Sequence, residues 1–136
     1  MSAQSNPFAG FRVMTFDVVG TLIDFEGGML AYLRSSGAAA SDIGDDVILD
    51  AYRASRTAGK TLRYPDDLER AYGDLVRAVG LKDSASLARG FRDSAEFWPA
   101  FPDSVEALKR LSARYRLVAM TNAQRWALDH FARTPG

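Results

Sequence analysis

The sequence predicts an α/β fold in which a parallel sheet is interrupted by a block of helices. Three observations carry this. Two short runs, Phe11 to Phe16 and Leu117 to Met120, are apolar on nearly every residue, as strands covered on both faces are. The stretch from residue 41 to 97 shows helical apolar spacing throughout. The segment "FPDSVEALKRLSARYRLVAMTNA" reads as a helix followed by a strand, and a parallel connection needs that length of chain.

Each element has its own local reason. Residues 1 to 10 read as a loose arm. Gly27-Gly28 breaks the chain after the first strand, and Met29 to Arg34 begins a helix that Gly37 ends. Val47, Ile48, Ala51, Tyr52 and Ser55 share one helical face. Leu68, Tyr72, Leu75, Val76 and Val79 form a stronger stripe, opened by Pro65 and closed by Gly80. Ser84 to Phe91 is a shorter helix carrying Gly90. Asp103 and Glu106 have capping-box spacing ahead of the stripe Val105, Leu108, Leu111 and Tyr115. Gln124 to Arg133 begins a last helix before Pro135-Gly136. The chain divides into a core strand and loop (1–26), a helical cap (27–97) and a core helix–strand–helix (98–136).

Composition narrows the function. With 136 residues, 47% hydrophobic and 25% charged, the chain suits one globular domain or part of a larger one. Lys plus Arg and Asp plus Glu each total 17, which removes the general electrostatic case for nucleic acid or an anionic membrane. The absence of cysteine excludes disulfides, thiolate metal sites and Cys nucleophiles. No apolar run spans a bilayer and the N-terminus lacks a secretory pattern, so a cytoplasmic protein without membrane partners is expected.

The chemistry is expected at one sheet edge. Parallel strands end on the same edge, where α/β folds place their sites, and Asp17 and Thr121 each lie just past a strand. An acid there also serves as a turn or cap residue, and Thr121-Asn122 also suits turn and helix-cap roles. The phrase "FDVVGTLIDFE", followed by a helical insert and "LVAMTNA", resembles the haloacid dehalogenase superfamily. With "IDFEGG" and "FWPAFPDSVEALKRL" it is most similar to the haloacid dehalogenase-type branch with a helical cap, from Phe11 onward. The resemblance implies a Rossmann-like parallel sheet core, incomplete in this chain, with an inserted α-helical cap. It makes Asp17 a nucleophile that forms a covalent ester later opened by water. Thr121 and Asn122 would assist it, Gly20 and Thr21 would form the structural turn, and Val18 and Val19 would meet substrate.

Val19 bears on the substrate. In the superfamily's phosphatases the residue two after the nucleophile is usually a second Asp, which protonates a departing alkoxide. Valine has no proton to give, and halide, a very weak base, needs none. The dehalogenase branch usually carries an aromatic residue there, so Val19 departs from it too. A small 2-haloacid needs a cation for its carboxylate, and "DAYRASR" resembles the branch's segment, suggesting Arg53, with Arg56 next. Helical arginines are also commonly solvated surface residues. His130, the sole histidine, has no evident acidic partner and reads as surface or packing. Asp66-Asp67 and Asp45-Asp46 read as first-turn acids, Asp24 and Glu26 as exposed flap residues, and Phe97 and Trp98 as packing between cap and core.

The family's third-motif lysine and fourth, acidic motif have no place here; Lys60, Lys82 and Lys109 all precede the second motif. An N-terminal fragment of a longer hydrolase, or a chain completed by another segment or by a second copy as a homodimer, is therefore expected, with little or no activity alone. No cofactor is expected. The alternatives are a magnesium-dependent phosphatase acting on a phosphate ester and a non-catalytic module that keeps the fold.

Overall fold

In the computed structural model, residues 5–57 and 62–133 are described, and the architecture below is that of these residues. Met1 to Gln4, Lys60 and Pro135-Gly136, which figure in the expectations above, lie outside them. The order is β1 (Val13–Phe16), α1 (Phe25–Ser35), α2 (Asp45–Thr57), α3 (Asp67–Val79), α4 (Ala85–Asp93), a 3-10 turn (Ser94–Phe97), α5 (Ser104–Ser112), β2 (Arg116–Ala119) and α6 (Arg125–Phe131).

The two strands pair in parallel, Val13 opposite Arg116 through Phe16 opposite Ala119. The N–H of Met120 donates to the carbonyl of Phe16 at 2.8 Å, so both chains leave the sheet at one edge. The expected burial on both faces is not found. Met14, Phe16 and Leu117 are half-buried, but Val13 is 51% and Val118 38% exposed. The register explains this. Phe16, Leu117 and Ala119 face Val105 and Leu108 of α5 and Leu128 and Phe131 of α6, while Val13, Thr15, Arg116 and Val118 point to the other side, where period-2 alternation leaves them uncovered. Met120, at 62% exposed, lies beyond the ladder.

The deepest packing lies among the inserted helices. α2 packs on α3 and α3 on α4, through Ile48, Tyr52 and Ser55 against the buried stripe Leu68, Ala71, Tyr72 and Leu75. Val47 is exposed, one step round from the i, i+4, i+7 line of that face. Asp67 stands in the first turn of α3, as expected, but it is buried. It is 1% exposed and accepts from Arg70 Nε at 2.8 Å and Nη2 at 3.0 Å, as a buried carboxylate must be met by a cation or donors.

Trp98 is the hub between the insert and the rest. It is 1% exposed, stacks on Phe131 of α6 at 6.1 Å and abuts Phe25 and Tyr64. Its neighbour Phe97 is 83% exposed, against expectation: it ends the 3-10 turn, and the chain passes into extended backbone at Trp98, which turns inward alone. Helix α1 also differs from expectation: it starts at Phe25 and runs through Gly27-Gly28. Asp24 caps it, accepting from the N–H of Gly27 at 2.9 Å. Gly28 is needed for close approach, since a Cβ there would lie 2.2 Å from Trp98 Cδ1. The expected capping box at Asp103 does not form a side-chain cap; Ser104 Oγ instead donates to the carbonyl of Leu22 at 3.0 Å. Helix α6 ends at Phe131, before Arg133. No helix among the described residues is long and apolar enough to cross a membrane.

Candidate active site

The loop leaving β1 is held by its own backbone. The carbonyl of the buried Val18 accepts from the N–H groups of Thr21, Leu22 and Ile23 at 3.2, 2.8 and 3.1 Å, and the N–H of Gly20 donates to Ile23. This turn requires a positive φ at Gly20, +89°, where other residues are strained. Thr21 Oγ1, at the end of the turn, donates to Asp17 Oδ2 at 3.1 Å. The loop is tied down by Asp24 N to Pro99 O and Phe101 N to Leu22 O, both 2.8 Å. Local chain geometry thus presents an exposed Asp17 carboxylate from a braced loop.

Asp17 opens into a cleft of about 430 Å³. Its walls are Asp17 and Val19 from the β1 loop, Phe25 and Glu26 from α1, Tyr52, Arg53 and Arg56 from α2, Tyr64, and Asn122 from the loop after β2. Of the residues singled out from sequence, Asp17, Val19, Arg53, Arg56 and Asn122 therefore meet across it. Val18 faces the apolar cleft between sheet, α5 and α6. Thr121 is half-buried, and its Oγ1 accepts from the N–H of Ala123 at 3.1 Å, a turn bond that shapes the loop presenting Asn122.

The two arginines differ. Arg53 donates to Glu26 and to Asp50, each at 2.8 Å, and the Glu26 hydrogen bond leads in raising its pKa above the ordinary guanidinium value. Glu26 and Asp24 are half-buried, not exposed as expected, because one pairs across the cleft and the other caps α1. Arg56 lies over the Tyr64 ring at 4.8 Å. Burial raises the Tyr52 and Tyr64 phenols, Tyr64 the more strongly, with Arg56 offsetting part of the shift in both.

Sequence reasoning missed Phe25, Tyr52 and Tyr64 as cleft walls, and Gln124 as their support. Gln124 exchanges two hydrogen bonds with Asp66 (2.9 and 3.0 Å), and its N–H donates to Tyr64 O at 2.8 Å. An aromatic before Pro65 was the available signal for Tyr64; nothing local marks Gln124. His130 does have an acidic neighbour, Glu96, at 3.7 Å, and Trp126 meets its ring edge-on. Among the described residues no group of His, Cys, Asp and Glu is arranged to hold a metal.

No protein-family model and no curated protein matches the chain. Solved structures do. A defluorinating L-2-haloacid dehalogenase is similar over 96% of this chain and 59% of its own, with 21% identity and a TM-score of 0.73. The L-2-haloacid dehalogenase of Xanthobacter autotrophicus matches over 90% and 51%, at 16% identity and TM-score 0.69. A HAD-hydrolase of Bacillus subtilis bound to magnesium matches over 90% and 59%, at 17% identity and TM-score 0.65. The chain thus spans between half and three fifths of the length of these structures. At such identities the likeness is one of architecture, and it agrees with the parallel β1–β2 pair and the helices inserted between them: the fold of this chain is that of these haloacid dehalogenase structures.

Proposed function

We propose that this chain carries the nucleophile and part of the substrate pocket of a 2-haloacid dehalogenase-type hydrolase. One observation carries the reading. Asp17 opens into a cleft whose walls hold Val19, Arg53 and Arg56, and the other carboxylate on the wall, Glu26, is tied to Arg53. The cleft thus holds an acid to attack, cations for a carboxylate, and no carboxylic acid positioned to protonate a leaving group. Thr21 engages Oδ2 of Asp17, leaving the other oxygen to attack C2 of the haloacid. A C–O bond forms as the carbon–halogen bond breaks, and halide leaves with the bonding pair. Water then adds to the ester carbonyl carbon and loses a proton to solvent, and the 2-hydroxy acid departs as the Asp17 carboxylate re-forms. Asn122 orients the substrate or the nucleophile, Thr121 sets the turn that presents it, and Val19 borders the reacting carbon, while the buried Val18 faces the other cleft and braces the loop through its carbonyl.

A magnesium ion does not suit the residues present. Such an ion is bound by one or two carboxylates with waters and substrate oxygens, and Asp17 is the one carboxylate on the cleft wall without an ion-pair partner among the described residues. No step is assigned to a metal. Among the described residues no lysine lines the cleft either, so the charge built up around Asp17 has little compensation and turnover by this chain alone is expected to be slow. The test is intact mass spectrometry after incubation with 2-chloropropionate, alongside halide assay. An ester on Asp17 that is absent in Asp17→Asn supports the reading. Phosphate release that depends on magnesium, without halide release, overturns it in favour of a phosphatase; neither adduct nor product favours a non-catalytic module.

A further inference from the structure

The cations of the Asp17 cleft are not equivalent as anion receptors. Arg53 is already engaged by two carboxylates, so a ligand reaching it must displace Glu26 or Asp50. Arg56 has no carboxylate partner among the described residues. Its Nη1 is buried without a hydrogen-bond partner, and so is Tyr64 Oη, on a residue only 7% exposed. The Tyr52 phenol lies near both, yet neither donor gains a bond of good geometry. Buried donors are almost always met, and two unmet ones side by side on a cleft wall point to an acceptor that arrives with the ligand. Tyr64 is well fixed for that role. Trp98 packs on its ring, Arg56 covers it, and Gln124 N–H holds its carbonyl. Its phenol stays protonated at neutral pH because burial disfavours the phenolate.

We propose that Arg56 Nη1 and Tyr64 Oη form the anion-receiving end of the cleft, donating to the carboxylate of a small organic acid, while Arg53 stays engaged by Glu26 and Asp50. This rests on the reading that the cleft takes a small carboxylic acid, and it makes Tyr64 a specificity residue. A guanidinium edge beside a phenol suits two carboxylate oxygens and gives nothing to an apolar end of the same size. The donors sit just beneath the cleft wall.

The experiment is calorimetric titration of the whole chain with propionate, which has the carboxylate and no halide to lose. The expected losses in affinity are about tenfold or more for Arg56→Gln and about fivefold for Tyr64→Phe, with a smaller loss for Arg53→Gln than for Arg56→Gln. Arg56→Lys, which keeps the charge and loses the fork, should remain weakened. Tyr64→Phe keeps the ring, so its melting temperature should match or exceed that of the parent, separating lost binding from lost structure. Unchanged affinity in Tyr64→Phe, a larger loss in Arg53→Gln, tighter binding of inorganic phosphate than of propionate, or no saturable binding by the parent chain overturns the proposal. The ester on Asp17 is read separately. Its absence with this ranking intact removes the nucleophile and leaves the anion site; a lost ranking with the ester intact removes only the anion site.

Discussion

Gly28 and Gly73 both lie inside helices, and helix propensity alone treats them alike: Ala in place of Gly should stabilise each by up to about 1 kcal/mol. The structure predicts opposite signs. At Gly73 in α3 the nearest atom to an added Cβ is Arg77 Nη1 at 3.6 Å, an ordinary contact with the flexible tip of a half-exposed helix face. Gly73→Ala should therefore keep most of the gain. At Gly28 the added Cβ would fall 2.2 Å from Trp98 Cδ1, 2.6 Å from Cγ and 3.0 Å from Nε1. Trp98 has nowhere to go: it is 1% exposed, stacked on Phe131, backed by Phe25 and Tyr64, and its Nε1 donates to Ser94 Oγ at 3.3 Å. Overpacking a filled core costs about 1–3 kcal/mol, and a contact this short belongs at the upper end. Setting the propensity gain against it leaves Gly28→Ala destabilised by about 1–2 kcal/mol. Urea unfolding of the two variants beside the parent measures both effects, with unchanged slope required for the comparison to hold. If Gly28→Ala is as stable as Gly73→Ala, the claim that Trp98 locks α1 against the Tyr64 segment is refuted.

Two further outcomes follow from the helical insert and its junction with the sheet edge. Ser55 Oγ donates to Asp74 Oδ2 at 2.6 Å, and this bond, ahead of Arg70 and Arg77, holds the Asp74 carboxyl below its ordinary value of 3.8 while burial opposes it. A carboxyl with a depressed native pKa adds stability that is present above its unfolded value and lost as pH falls through the native one. Ser55→Ala should accordingly lose about 1 kcal/mol at neutral pH, with the gap from the parent narrowing below about pH 4, as followed by thermal unfolding across a pH series. Gln124→Ala removes both side-chain bonds to Asp66 and leaves the Asp66 N–H unmet, a loss of about 1–2 kcal/mol. Hydrogen exchange should quicken at the Asp66 amide while α3 beyond its first turn stays protected; uniform quickening would instead mean global destabilisation.

The sequence by itself determined the order of elements, the parallel relation of the two strands, and the loop that presents Asp17. These are local properties. An apolar run bounded by a Gly-Thr turn specifies where a strand stops, and Gly20 and Thr21 act on neighbours within four residues. The stripe on α3 and its stop at Gly80 were legible for the same reason, since a helical period is written in consecutive residues. Tertiary structure decided which charges and hydroxyls meet. Asp67 is the first-turn acid its position suggested, but only the packing of α2 on α3 buried it; Asp103 holds the N-cap position of α5 without a side-chain cap bond, while Ser104 bonds Leu22 across 82 residues. Which of Arg53 and Arg56 retains an open valence depends on Glu26, 27 residues from Arg53, and on the Tyr64 ring over which Arg56 lies. Exposure of the strands was likewise set from outside them, by helices on one face only. Spacing along a chain encodes the period of an element, whereas the partner of a side chain is chosen by whatever the fold brings within a few ångströms of it.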